Sequence, residues 1–159
     1  LSQFDHIDIL QVGARNMQNY YLLKQLGKCN KPILLKRGLS STVDEWLYSA
    51  EYIMSEGNCN VILCDRGIRM GDRCVVDIAQ LYNSLEMTCL PIIVDPSHAC
   101  GNSNLVLPLS RAVASLAIDG LMIEVNADCQ KTLCDGVQSL SITQYQQLVT
   151  QVDTIRRVI

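Results

Sequence analysis

The sequence predicts an α/β protein in which a parallel sheet is covered by helices, and three observations carry that expectation. Five short apolar, β-branched runs begin at Ile7, Ile33, Val61, Ile92 and Leu121, separated by 26, 28, 31 and 29 residues, the repeat of a βα unit. Amphipathic stretches lie between them. Every run ends in polar or charged residues: GARN follows residues 7–12, KRG follows 33–35, DRG follows 61–64, DPSH follows 92–94 and EVN follows 121–123. Parallel strands buried on both faces read as such unalternating apolar runs, so the five strands deliver their chemistry from one common end.

The connecting segments carry helix signals in order. Residues 19–26 form a short amphipathic stretch with Tyr20, Leu23 and Gln25, stopped by Gly27. Thr42 and Glu45 make a capping box for the next helix, with Leu47, Ala50 and residues 52–54 as its buried stripe and Gly57 at its end. Residues 73–85 place Val75, Val76, Ala79, Leu81, Tyr82 and Leu85 at roughly helical spacing before Pro91 opens the fourth strand. A helix is expected over 104–117, with Pro108 near its start, where a missing N–H is tolerated. Ser141 and Gln144 form a second capping box, and the last helix runs through Tyr145, Leu148, Val149, Val152 and Ile155.

No linker or low-complexity stretch interrupts residues 1–159, so a single domain is expected. A dinucleotide fold would place GxGxxG after its first strand, where GARN stands. A complete eight-unit barrel needs about 200 residues or more, so five units amount to part of one. Strand order decides between a doubly wound sheet and a barrel.

Composition narrows the function classes. With 48% hydrophobic and 18% charged residues the chain is globular, and a net charge of −3 without a basic run argues against nucleic-acid or anionic-membrane partners. No apolar segment approaches the roughly 20 residues of a membrane span, and no signal core follows the N-terminus, so a cytoplasmic protein is expected. The eight cysteines contain no CxxC pair, and Cys64, Cys74 and Cys89 sit among apolar neighbours, the pattern of buried, reduced thiols. Cys129 and Cys134 flank a polar turn, but without a second pair they make a weak metal signal.

The charges at the strand ends divide by position. The first three strands deliver Arg15, Lys36 with Arg37, and Arg66 with Arg69, a concentration of cations whose natural counterpart is a small anion bearing phosphate and carboxylate groups. Some of these cations could equally pair with Asp65 and Asp72. The later strands deliver His98, Glu124 and Asp135, a nitrogen and oxygen donor set that suits manganese, iron, zinc or cobalt. A histidine between two acids also fits a purely structural role. His6 has no comparable context.

In the order GARN (13–16), KPILLKRG (31–38), ILCDRGIR (62–69), DPSHACG (95–101), IEV (123–125) and CDGVQSL (134–140), the motifs closely resemble short-type 3-deoxy-D-arabino-heptulosonate 7-phosphate (DAHP) synthase. That family is related to 3-deoxy-D-manno-octulosonate 8-phosphate synthase. LLKRG, the IR after DRG and GVQSL favour the heptulosonate enzyme, although DRG is also like the octulosonate one. The resemblance implies a (β/α)8 TIM barrel of which about five units, resembling strands 4 to 8, are present. It further implies the transferase reaction that condenses phosphoenolpyruvate with erythrose 4-phosphate, releasing phosphate, at the entry to the shikimate pathway and aromatic amino acid biosynthesis. Carried over by motif, Arg15 and Arg66 bind the phosphate of phosphoenolpyruvate, Lys36 binds its carboxylate, and His98, Glu124 and Asp135 hold a divalent metal. Lys36 and His98 are the catalytic candidates, while Arg69, Asp95 and Ser97 are expected near the substrates.

The departures bear on the same expectations. The family's first three βα units, with a metal-ligating cysteine and a KPR segment, have no counterpart among these residues. Asn126 stands where the family has His after EV, and Met70, Gly71 and Asp72 replace its Thr-Phe-Glu. A sheet with two open edges favours association, so the expectations are a homo-oligomer or a missing N-terminal barrel segment. The alternatives are an octulosonate-type activity on arabinose 5-phosphate, or a non-catalytic paralogue that binds anionic metabolites or a partner chain.

Overall fold

A computed structural model describes residues 6–71, 73–129 and 131–159. In chain order the elements are β1 (Leu10–Val12), α1 (Tyr20–Leu26), β2 (Ile33–Lys36), α2 (Val43–Met54), β3 (Val61–Asp65), β4 (Ile68–Met70), β5 (Arg73–Val75), α3 (Ile78–Met87), β6 (Ile92–Val94), α4 (Pro96–Cys100), α5 (Ser103–Ala114), β7 (Gly120–Leu121) and α6 (Ile142–Arg156). Five strands pair in parallel in the order β1-β2-β3-β6-β7, and β4 with β5 forms a separate antiparallel hairpin. The five-strand order follows the chain without a reversal. Right-handed crossovers that always advance in one direction keep their helices on one side of the sheet, which is the winding of a barrel, whereas a doubly wound sheet reverses at a switch point. The fold is therefore a TIM-barrel-like arrangement with a truncated set of βα units, and among the described residues β1 and β7 are its edges.

Local signals explain where most elements begin. The Asn19 side chain accepts the N–H of Leu22 and starts α1, and both reciprocal bonds of the Thr42–Glu45 capping box are present at α2. Ser141 and Gln144 do the same for α6. The buried stripe of α2 is Val43, Trp46, Ala50 and Ile53 with Ser49, a true 3- and 4-residue spacing, and Tyr52 lies on the exposed side instead of in the expected stripe.

Four expectations are corrected. The first strand starts at Leu10 rather than Ile7, because pairing begins where Leu10 N–H meets Pro32 O and Leu10 aligns with Ile33; Ile7 and Ile9 are exposed. Residues 73–75 are a strand and not the start of a helix: Gly71, with φ of 63°, belongs to the turn that folds Arg73–Val75 back on Ile68–Met70, and α3 waits for its Asp77 cap. Pro108 lies well inside α5, since Asn102 caps that helix at Ser103; the bond Pro108 cannot donate would go to the carbonyl of Asn104, and both residues lie on the exposed side of the helix. Of the cysteines only Cys64 is buried, its thiol pushed up to about 12 by burial and then by the Asp95 charge; Cys59, Cys89 and Cys134 are exposed.

The core lies between the sheet and its helices. Val12, Ile33, Leu35, Val61, Leu63, Ile92 and Val94 from the strands meet Leu23, Trp46, Ile53, Leu81 and Val113 from the helices. A smaller cluster of Val106, Leu140 and Leu148 joins α5, α6 and the segment before α6. No helix among the described residues is long and apolar enough to cross a membrane. Trp46 is fully buried, and its indole N–H donates to Leu35 O of β2 at 3.1 Å, tying helix to sheet. Trp46→Ala is expected to cost about 3–5 kcal/mol of stability, measured as the shift in urea unfolding; a loss below about 1 kcal/mol removes Trp46 from the centre of the core.

Candidate functional site

Parallel strands end together, so the residues just past β1, β2, β3 and β6 meet in one place. There they line an open cleft of about 510 Å³ that contains Arg15, Lys36, Arg66, His98 and Asp135, with Leu39 on one wall. Arg15 is carried by a short 3-10 turn after β1, and its side chain is exposed. Lys36 ends β2, is 6% exposed, and is among the residues that line the cleft. Arg66 follows β3, donates from Nη2 to His98 O at 2.7 Å, and places Nη1 3.8 Å from Cys74 Sγ.

Asp95 lies beneath this cleft. It caps the short helix α4, its Oδ1 accepting His98 N–H at 2.9 Å, and its Oδ2 accepts Lys36 Nζ at 2.5 Å. His98 Nδ1 is buried and 2.7 Å from the same Oδ2, but it lacks the alignment of a directed hydrogen bond. The carboxylate is fully shielded from solvent, so it supports Lys36 and His98 from below and does not line the cleft. Burial alone would raise its pKa; interactions with His98 and then Lys36 outweigh burial and hold it below the ordinary carboxylate value.

His98, Glu124 and Asp135 form the group best suited to a cation. Their ligand atoms all lie within 4.8 Å of one another, and His98 Nε2 is 3.8 Å from Glu124 Oε1, too far for a hydrogen bond. Metal–ligand bonds of ~2.1 Å separate neighbouring donors by roughly 3–4 Å, so small side-chain rotations would close the set on an ion. Glu124 is placed by its own backbone N–H, which donates to the buried Ser97 Oγ at 2.9 Å. Asp135 sits in a left-handed turn, φ 57°, a conformation that aspartate tolerates better than most residues, and its Oδ1 also accepts Gln138 Nε2 at 2.8 Å. The donor set fits a divalent ion such as manganese, iron, zinc or cobalt. Cys129 Sγ is directed at backbone carbonyls of Asn126 and Ser139, and neither it nor Cys134 belongs to this group.

Two of the strand-end cations stand apart from the cleft. Arg37 points to the opposite face of β2, where it is 2% exposed and bonded to Asp65, Ser41 O and Gln80. Side chains alternate along a strand, so only one of the neighbours Lys36 and Arg37 could face the cleft. Arg69 is exposed on β4 and does not line the cleft; its backbone N–H bonds to Leu39 O. Asp72, offered as a pairing partner, lies outside the described residues. His6 is exposed and belongs neither to the lining of the cleft nor to the His98 group. The short helix α4 is not among the expected elements, although Asp95 followed by Pro96 is an N-cap with proline at the first helical position, which is its local signal.

Replacing Asp95 by Asn leaves Lys36 buried without a countercharge and is expected to cost about 3–5 kcal/mol near pH 7. Because the folded-state pKa of Asp95 is depressed, its contribution is present above the ordinary carboxylate value and lost as pH falls through the folded one. The gap between wild type and variant in urea unfolding should therefore narrow below about pH 4; a gap independent of pH would take the Asp95 charge out of the account.

Comparisons with known proteins give the family and the fold. Residues 3–158 match the DAHP synthetase I family. The phospho-2-dehydro-3-deoxyheptonate aldolase of Thermotoga maritima is 45% identical over 150 residues, covering 92% of this chain and 44% of that protein. A 2-dehydro-3-deoxyphosphooctonate aldolase of Syntrophotalea carbinolica is 29% identical, covering 96% of this chain and 59% of that one. The crystal structure of the Thermotoga DAHP synthase superimposes with a TM-score of 0.92 at 44% identity, over 95% of this chain and 45% of that one. A truncated form of the Thermotoga enzyme gives the same score, with 59% of its chain covered. This chain thus spans about half the length of the relatives it matches. A match that runs almost from end to end, on a fold this close to the solved structures, means that the chain belongs to the DAHP synthetase I family.

Proposed function

We propose that this chain carries the anion-binding and metal-binding part of a synthase that condenses phosphoenolpyruvate with erythrose 4-phosphate to give DAHP and phosphate. The observation that carries the reading is the convergence of Arg15, Lys36 and Arg66 with His98 and Asp135 on one cleft. Phosphoenolpyruvate presents a phosphate and a carboxylate on a small frame, and two guanidinium forks with one ammonium match that pair of anions. In this reading Arg15 and Arg66 take the phosphate and Lys36 the carboxylate. The greater identity to the heptulosonate enzyme than to the octulosonate one, 45% against 29%, supports erythrose 4-phosphate as the acceptor over arabinose 5-phosphate.

The residues divide the work. The three cations fix the enol pyruvate so that its methylene carbon can be held against an aldehyde, and they stabilise the negative charge that shifts as phosphate departs. Arg66 is held in turn by His98 O, and Lys36 by Asp95, so neither has to be ordered when substrate arrives. His98, Glu124 and Asp135 hold the divalent ion, which when bound supplies Lewis acidity to polarise the aldehyde or to activate water. The open edges of β1 and β7 pair, in this proposal, with further strands from the same polypeptide or from a second copy, giving a cytoplasmic assembly.

The test is phosphate release from phosphoenolpyruvate and erythrose 4-phosphate with added manganese, with arabinose 5-phosphate in parallel. Turnover with erythrose 4-phosphate alone is the expected result for the assembled enzyme, and preference for arabinose 5-phosphate would overturn the acceptor assignment. His98→Ala is expected to abolish metal-dependent turnover and to weaken manganese binding by more than the ~10–100-fold typical of losing a residue that merely supports a ligand. Unchanged manganese affinity in a titration would remove His98 from the metal site.

A further inference from the structure

We propose that the buried Arg37–Asp65 pair is a positioning device that sets Arg66 in the cleft, acting through the turn at Gly67. This inference rests on the reading of Arg66 as an anion-binding group. Asp65 is the last residue of β3 and 2% exposed, and each of its polar parts has a separate duty. Its Oδ1 accepts the N–H of Gly67 at 2.6 Å, closing a tight turn over Arg66. Its Oδ2 takes Arg37 Nη1 at 3.2 Å, and its backbone carbonyl accepts the N–H of Asp95 at 2.7 Å.

Arg37 has no freedom left to bind a ligand. Nε and Nη2 donate to Ser41 O at 3.1 and 2.8 Å, Nη2 also reaches Gln80 Oε1 at 2.5 Å, and the guanidinium lies 5.9 Å from the centre of the Trp46 ring. It therefore ties the ends of β2 and β3 to α2 and α3 and holds one oxygen of Asp65 still. The other oxygen is thereby aimed at Gly67. Gly67 adopts φ of 74°, and a Cβ there would come within 2.9 Å of Val75 O, so its backbone is pinned on the far side by β5 as well. Arg66 thus stands between two fixed residues, and its side chain has one rigid base from which to reach His98 O and the cleft. A guanidinium that binds a phosphate bidentately gains from such preorganisation, because a displacement of about 1 Å forfeits the fork geometry.

The experiment measures binding of inorganic phosphate to the full chain by titration calorimetry, together with thermal stability and hydrogen exchange at the Gly67 amide. Three variants are compared with wild type: Arg66→Ala, Asp65→Leu, and Arg37→Met combined with Asp65→Leu. Asp65→Leu leaves Arg37 buried and unpaired and is expected to lose stability; the double variant removes both charges and should recover most of it. Phosphate affinity should stay at least about tenfold below wild type in the double variant, with faster Gly67 exchange, because the acceptor for that N–H is still missing. Recovery of affinity along with stability would overturn the proposal and leave the pair a structural one. If wild type binds no phosphate, or binds it equally well as Arg66→Ala, the anion reading of the cleft fails; Gly67 exchange then decides the turn alone, and unchanged protection in the double variant overturns the positioning role too.

Discussion

The structure depends on one buried carboxylate. Asp95 keeps its charge without any contact with solvent, and a carboxylate in that position is tolerated only where cations and N–H groups surround it. Lys36 comes from β2, His98 from α4, and Asp95 itself from the end of β6. Two pieces of chain remote in sequence, the end of β2 and the β6–α4 junction 59 residues further on, are thus bound to a single point, and that point lies directly under the cleft. The arrangement supplies the surface above it with an ammonium directed from below and with a histidine whose backbone N–H is held there. It also explains why the largest electrostatic demands of the fold lie at the carboxyl ends of the strands, where their cost is offset by use.

Around that point the parallel sheet acts as a device for convergence. Helices that return the chain to the same side start every strand from one end, so the residues after each strand arrive together whatever their separation in sequence. The cation-bearing ends of β1, β2 and β3 form one half of the cleft, and His98 and Asp135 line the other, with Glu124 within ligand distance of both. Supporting contacts come mostly from the backbone: Arg66 holds His98 O, Ser97 holds the N–H of Glu124, and Asp95 holds the N–H of His98. Such contacts fix where a side chain starts while leaving its tip available.

Much of this was legible in the sequence because it rests on local periodicity. The 26- to 31-residue repeat of apolar runs brought out all five parallel strands, with the first beginning three residues late, at Leu10, and the last lying at Gly120–Leu121 instead of 121–123, and Thr42–Glu45 and Ser141–Gln144 marked two helix starts through chemistry confined to four residues. What stayed hidden depended on partners far along the chain. Within residues 73–85 the Asp77 cap marks where the helix begins, but nothing there shows that Val75 belongs to a hairpin; pairing with Ile68 decides it. Nor does KRG show which of Lys36 and Arg37 faces the cleft, since both are adjacent cations and only strand phase separates them. Asp95, an expected substrate neighbour, is buried instead, and its burial depends on Lys36, 59 positions away, which no local pattern reveals. The family resemblance supplied residue roles that spacing alone left open between metal ligation and structure.

The opposite facing of Lys36 and Arg37 carries an implication for how β2 finds its place. Each cation has a carboxylate on its own side of the sheet, Asp95 for Lys36 and Asp65 for Arg37. A slip of β2 by one residue would exchange the two sides, setting a bulky guanidinium over Asp95 and withdrawing the lysine from the cleft. Apolar packing discriminates poorly against that error, because Ile33, Leu34 and Leu35 are buried on both faces. The two ion pairs thus serve as alignment keys for a strand whose greasy residues would accept either phase.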